Sequence, residues 1–277
     1  MPELPEVETV VRGLRRIAVG REITGVKLIG EKLRRINPRN FSSKIRGRKF
    51  VAVRRRGKNI LLDMSGGLTL WAHLKMTGRF VEHENGRKLD KHDHLALDLA
   101  GAGKQKSSRL VFRDVRKFGF VMLVRTAELD QLEGLTKLGP EPLEISRDDF
   151  IKLIKTRHRA IKPALLDQTL IAGLGNIYAD ETLYAARIHP QKLTDEISRT
   201  KLAALHQSIQ RILTMAIERM GTTIDNYSGV NGAPGEFQSY LKVYGRGGAP
   251  CLRCGKKIIR QVIGQRSAHF CGKCQRR

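Results

Sequence analysis

Leu138-Gly139-Pro140-Glu141-Pro142-Leu143 divides the 277-residue sequence into two parts of different periodicity. Two prolines and a glycine in six residues continue neither a helix nor a strand, so a linker is expected over 138–146. Upstream, short apolar runs with partial alternation recur at 22–29, 49–55, 60–64, 68–74, 94–99, 109–112 and 120–124. Many are separated by turn residues such as Ser65-Gly66-Gly67 and Glu84-Asn85-Gly86. That pattern predicts antiparallel sheets packed as a sandwich or barrel. Ahead of them Val7, Val10, Val11, Leu14 and Ile17 recur at helical spacing; Pro5 suits a first turn and Gly20 can end the helix. Downstream the period becomes helical over about 147–155, 163–170, 176–186 and 198–220. The expected fold class is therefore α+β, with an N-terminal antiparallel β-sandwich domain over 1–137 and a helical domain over 147–239. Within the latter, 222–236 is rich in Gly and polar residues and reads as a loop; 240–277 forms a small cysteine-bearing module.

Charge is the strongest compositional feature. Fifty-two Lys and Arg against 27 Asp and Glu leave a formal +25. Between Lys32 and Leu62 there are twelve basic residues and no acid, and after Glu236 there are ten more, again with no acid. One such run is commonly just a solvated surface. Two separated runs point to a polyanion, nucleic acid above all. No amphipathic anchor for a membrane surface is evident, and no stretch approaches the roughly 18 apolar residues that a spanning helix needs. Glutamates stand where a secretory signal would carry lysines, so a cytosolic protein is expected.

All four cysteines lie in Cys251-x2-Cys254-x16-Cys271-x2-Cys274. Two knuckles at this spacing can place four thiolates tetrahedrally around one zinc ion. The alternatives are two disulfides or four unrelated thiols, which a cytosolic chain disfavours. Four thiolates would leave no open coordination position, so one structural Zn2+ is expected, supplying much of the module's folding free energy. Lys256, Lys257, Arg260 and Arg266 between the knuckles suggest a hairpin that reaches into DNA.

Four segments together resemble bacterial formamidopyrimidine-DNA glycosylase of the Fpg/Nei family. They are Pro2-Glu3-Leu4-Pro5-Glu6-Val7-Glu8-Thr9, Arg113-Asp114-Val115-Arg116-Lys117-Phe118-Gly119, Gly173-Leu174-Gly175-Asn176-Ile177-Tyr178 and the cysteine module. The resemblance runs the length of the chain. It implies a helix–two-turn–helix in the helical domain, a β-hairpin zinc finger over 240–277, and a lid over the flipped base at 222–236. It also implies base-excision repair: a bifunctional glycosylase and abasic-site lyase that flips out 8-oxoguanine or formamidopyrimidines. The implied partner is double-stranded DNA bearing an oxidised purine, and the implied state is a monomer in a bacterial cytoplasm.

Removal of Met1 would leave Pro2 with a free secondary amine, a group whose pKa of roughly 8 keeps an appreciable neutral fraction near pH 7. The resemblance implies that Pro2 attacks the sugar C1′ as a Schiff-base nucleophile, that Glu3 donates protons, and that Lys58 contacts the lesion and its phosphate as a second proton donor. It implies that Met76, Arg116 and Phe118 fill the gap left by the flipped base, with Arg116 on the estranged cytosine. Lys162, Asn176 and Arg266 are the implied phosphate contacts, with Asn176 capping its helix. Read without the resemblance, Pro2 is a helix-entry residue, Glu3 an acid at a helix start, Lys58 an exposed phosphate contact, and Met76 and Phe118 core. His73 reads as structural and Glu6 as a support for its neighbours.

Two departures from the family pattern bear on DNA contacts: Ala268 stands where threonine is frequent, and Lys75 where glycine or arginine is. Lys104-Gln105-Lys106-Ser107-Ser108 reads as a lengthened turn. Two other functions fit less well. An enzyme of the endonuclease VIII type, acting on oxidised pyrimidines, tends to open Pro-Glu-Gly-Pro, which Leu4 contradicts. A zinc-dependent protein that binds damage without cutting would retain or block its N-terminal methionine.

Overall fold

The computed structural model describes residues 1–29, 40–223, 229–230 and 232–277. The basic run that opens at Lys32 and the loop 222–236 therefore lie partly outside the described residues. Two compact units are present. The first comprises Met1–Thr136 with Met220–Glu236, the second Lys137–Arg219 with Phe237–Arg277. The sequence reading assigns the 222–236 loop to the helical part, whereas here it groups with the sheets. Its Val230 joins their core, and the Thr222 amide donates to Glu6 at 2.7 Å.

The first unit opens with helix α1 (Leu4–Ala18). Strand β1 (Ile23–Leu28), the short helix α2 (Phe41–Ile45) and strands β2 (Phe50–Arg56), β3 (Asn59–Met64) and β4 (Leu68–His73) follow. Then come β5 (Gly78–Glu84), β6 (Asp93–Leu99), β7 (Ser108–Asp114), β8 (Phe120–Arg125) and helix α3 (Glu133–Thr136). Two four-stranded antiparallel sheets result, ordered β1-β6-β7-β5 and β2-β3-β4-β8. Phe80, Leu97 and Phe112 from one sheet and Val53, Leu62 and Leu70 from the other share a core with Val7, Val10, Val11 and Leu14 of α1. That is a sandwich with a helix packed onto it. Burying each of these apolar side chains contributes about 1.5–3 kcal/mol relative to leaving it in water.

Strand β5 escapes the sequence reading. Its residues Gly-Arg-Phe-Val-Glu-His-Glu carry only two apolar side chains, and it lies at a sheet edge, where one partner strand suffices. Arg21 is equally unexpected in the core. Its guanidinium donates to the carbonyls of Ile17, Leu99, Ala100 and Lys106, so the lengthened 104–108 turn supplies one of its acceptors.

The second unit holds helices α4 (Arg147–Lys155), α5 (Ile161–Leu166), α6 (Asn176–Ala185) and α7 (Arg199–Glu218), then the hairpin β9 (Ile259–Ile263) and β10 (Arg266–Phe270). Helix α5 starts and stops earlier than the expected 163–170; it stops at Leu166 as Asp167 turns the chain by accepting from the Thr169 amide and hydroxyl. Helix α6 is buried on every side from Ile177 to Tyr184. It carries two acids inward, and each is satisfied. Glu181 accepts from the amides of Lys242, Val243 and Tyr244 at 2.8–3.0 Å. Burial nonetheless pushes its pKa up, against those three bonds. No helix among the described residues is long and apolar enough to cross a membrane.

Candidate functional site

The site residues of the first unit gather at the N-terminus of α1 and on three tight turns. Pro2 is buried, and Glu3, also buried, is the N-cap of α1 in extended conformation. Pro5 sits in the first turn, where its missing N–H costs nothing. Glu6 Oε2 accepts the Glu3 amide at 2.8 Å, and Glu6 Oε1 accepts the Thr222 amide at 2.7 Å. Glu6 thus supports its neighbours, while Glu3 combines the capping position with the expected proton-donor position.

Lys58 lies on the two-residue turn between β2 and β3, with Gly57 at φ +54° in the first central position. Only such backbone closes so short a hairpin without splaying the strands. The turn is braced from both sides. Arg55 Nη1 donates to the Gly57 carbonyl at 3.1 Å, and Asn59 Nδ2 to the Arg56 carbonyl at 3.1 Å. Arg55 Nε also bonds Glu8 at 3.1 Å, which fastens the base of the hairpin to α1. Lys58 is buried, not exposed as an isolated reading of the basic run would have it.

His73 ends strand β4. Burial first, then the nearby Lys75 and Lys58 ammonium groups, hold its pKa down at about 3. The ring is therefore neutral, with Nδ1 accepting the Lys75 amide at 3.0 Å.

Met76 and Phe118, which taken singly would read as core, are 43% and 55% exposed. Met76 follows β4 and Phe118 precedes β8, and the Arg116 guanidinium stacks 4.7 Å from the Phe118 ring centre. Sequence reasoning passed over the residues that shape these turns. Asp114 is fully buried, and its carboxylate accepts from the Thr77 hydroxyl, the Arg116 amide and the Gly119 amide. Asp114 stands inside the quoted segment 113–119 and Thr77 next to Met76, so the signal was a carboxylate and a hydroxyl lying between predicted strands.

In the second unit the four cysteine Sγ atoms lie within 4.8 Å of one another. The Cys251–Cys274 and Cys254–Cys271 separations are 3.9 and 3.5 Å, too long for disulfides. A tetrahedral zinc with bonds of about 2.3 Å requires sulfur–sulfur edges of about 3.8 Å, which these match. The electrostatics agree with a cation at the centre. Against the effect of burial, the Tyr184 hydroxyl and the amides of Arg253 and Cys254 bring the Cys251 thiol down to about 6. Burial and the neighbouring sulfurs push Cys274 up to about 12. The module is locked to its own unit by Gln275, which accepts the Cys271 amide and donates to the Ile188 carbonyl, both at 2.9 Å.

Between the knuckles, β9 and β10 form the expected hairpin. Its two-residue turn, Gly264-Gln265, has both residues at positive φ, the backbone a two-residue hairpin favours. Arg266 leaves that turn exposed. It lines a pocket of about 640 Å³ with Asn176, Tyr244, Arg260, Ser267 and His269. Arg260 was noted only as part of the basic hairpin; here it faces the same pocket.

Two expectations fail in this unit. Asn176 does not cap α6: Gly175 is the N-cap, and Asn176 is the first helical residue, its Nδ2 donating to the Ser267 carbonyl at 2.9 Å. Lys162 is not a surface DNA contact. It is 0% exposed, with Nζ 2.5 Å from Asp180 and 2.6 Å from the Ser267 carbonyl. Asp180 also accepts the His269 amide at 2.8 Å. Lys162 and Asp180 therefore anchor strand β10, next to Arg266, instead of meeting phosphate, and Asn176 adds a further tie to the same strand. Ala268 also reads differently. Its side chain is 0% exposed and packs with Ile263 and Phe270, so it faces the inside of the hairpin.

With this geometry in place, the similarities are specific. Residues 1–121 match the formamidopyrimidine-DNA glycosylase N-terminal domain, residues 138–228 the H2TH domain of the same enzymes, and residues 248–277 the zinc finger found in FPG and IleRS. A formamidopyrimidine-DNA glycosylase of Pelotomaculum thermopropionicum is 43% identical over 279 residues, covering 100% of this chain and 99% of the relative. A crystal structure of a Lactococcus lactis FPG mutant with a Fapy-dG containing DNA superposes with a TM-score of 0.90 at 36% identity, covering 100% of both chains. A Lactococcus lactis Fpg complexed with an abasic site containing DNA superposes equally well, covering 99% of this chain and 100% of that one.

Proposed function

The chain belongs to the formamidopyrimidine-DNA glycosylase family, and we propose that its chemistry runs through the Pro2 amine on oxidised purines flipped out of duplex DNA. It is a base-excision-repair DNA glycosylase and binds DNA, with one structural zinc held by Cys251, Cys254, Cys271 and Cys274. Four thiolates fill the zinc's coordination, so the metal holds the finger and takes no part in the reaction.

Once Met1 is removed, the Pro2 nitrogen lone pair attacks C1′ of the damaged nucleotide. The glycosidic bond breaks and the base leaves with its bonding electrons, while Glu3 supplies the proton the sugar ring oxygen needs as the ring opens. The resulting iminium acidifies the C2′ proton. Loss of that proton expels the 3′ phosphate, and a second elimination expels the 5′ phosphate. Lys58, presented on its braced turn, neutralises the phosphate beside the lesion and can donate a proton there. Met76, Arg116 and Phe118 occupy the space the base vacates, with Arg116 hydrogen-bonding the estranged cytosine. Asn176 and Arg266 hold phosphate.

On this reading residues 1–137 carry the chemistry, 138–146 connect, 147–219 hold the helix–two-turn–helix and 240–277 the finger. The loop at 222–236 closes over the extruded base. The protein acts as a monomer in the cytoplasm.

The observation that carries the reading is the buried Pro2-Glu3 pair at the start of α1, in a chain matching these enzymes over its whole length. Borohydride trapping on a duplex with 8-oxoguanine opposite cytosine, followed by peptide mapping, tests it. A covalent adduct at Pro2 is expected. No adduct, from protein that has lost Met1 and binds the duplex, would sink it; trapping only on thymine glycol opposite adenine would move the enzyme to the pyrimidine-specific branch.

A further inference from the structure

Met76 lies on the turn that follows β4, and Arg116 and Phe118 on the turn that precedes β8. Both turns contain a non-glycine residue in the left-handed region beside these side chains: Lys75 at φ +53° and Lys117 at φ +58°. Such backbone is uncommon outside glycine and needs support from its surroundings. One buried group supplies that support to both turns. The Asp114 carboxylate accepts the Thr77 hydroxyl and the Arg116 amide on Oδ1, the latter at 3.2 Å, and the Gly119 amide on Oδ2 at 2.7 Å. The Arg116 amide is shared with Thr77 Oγ1 at 3.1 Å. Asp114 is itself held, its carbonyl accepting from His94 Nε2 at 2.8 Å. Gly119 completes the fit, because a Cβ there would meet Asp114 Oδ2 and the His73 carbonyl at 3.0 Å.

We propose that Asp114 and Thr77 are positioning residues that hold Met76, Arg116 and Phe118 in one preset arrangement, and so set the discrimination for cytosine opposite the lesion. The inference rests on the base-flipping role given above to those three side chains. Asp114 touches no DNA in this scheme. Its part is to make the two turns a single body, so that inserting the Phe118 ring also brings Arg116 to the edge of the orphaned base. Without the tie the turns would order separately, and an arginine free to move pairs with any acceptor it meets.

The test is the ratio of kcat/KM on 8-oxoguanine opposite cytosine to that opposite adenine. Thr77→Val keeps the volume and removes the hydroxyl, Thr77→Ser restores it, and Asp114→Asn removes one acceptor. Thr77→Val and Asp114→Asn are expected to reduce the ratio about tenfold, the worth of one well-made base contact. Thr77→Ser is expected to recover it, which a general loss of stability would not predict. Where Asp114→Asn does not fold, the valine and serine pair decides. A parental ratio in Thr77→Val, alongside a lost ratio in Arg116→Ala, overturns the positioning role. A parental ratio in Arg116→Ala as well would overturn the base-flipping assignment beneath it.

Discussion

Nζ of Lys162 lies 2.5 Å from Oδ1 of Asp180, and neither side chain reaches solvent. A buried ion pair is costly to break because the remaining charge is stranded. Lys162→Met is expected to lower unfolding free energy by about 3–5 kcal/mol, read from the urea midpoint. DNA affinity measured where the variant is still folded should also fall, since the Ser267 carbonyl that Lys162 holds adjoins Arg266. An unchanged midpoint would mean that the pair is not buried in solution.

Chelation of zinc should abolish DNA binding while the sheets keep their circular dichroism signal. The finger has its own small apolar cluster of Ile263, Ala268 and Phe270, too little to fold a module of this size without metal. Retained binding after verified metal loss would remove the finger from the interface.

His73 gives stability a pH dependence with a defined sign. Its folded pKa of about 3 lies below the ordinary value of 6.5, so the unfolded chain takes up the proton first. The contribution is complete above pH 6.5 and is lost as pH falls from 6.5 toward 3, at roughly 1.4 kcal/mol per pH unit. Urea midpoints at pH 7.5 and 5.0 should differ accordingly, and His73→Gln should flatten the difference.

Affinity for a lesion duplex should fall steeply with salt. A protein that neutralises about six phosphates loses on the order of a thousandfold between 50 and 200 mM. Arg266→Ala should reduce the slope of log K against log salt by about one. A flat dependence would contradict an electrostatic role for the +25 charge.

How legible all this was in the sequence depended on whether local pattern or tertiary context decided the outcome. Helix α1 could be read because Val7, Val10, Val11 and Leu14 keep helical spacing and all enter one core. The zinc site could be read because its geometry is set by two short spacings. Strand β5 could not, since a sheet edge accepts a polar sequence. Lys162 looked like any other cation in a basic chain; only the fold brings it to Asp180, eighteen residues on. The same holds for Asn176, whose side chain spends its amide on a carbonyl ninety-one residues away instead of on its own helix. Asp114 was in plain view, but nothing local tells a carboxylate that accepts from three donors from one that faces water.

The two oxygens of Glu6 hold the amides of Glu3 and Thr222, and Gly221, at φ +78°, leaves no room for a Cβ, which would approach Glu6 Oε1 to 2.7 Å. Positions 6 and 221 are therefore coupled: a side chain at 221 has to displace the carboxylate that fastens the root of the loop to the start of α1, whereas position 222 needs only a backbone N–H, which every residue but proline supplies.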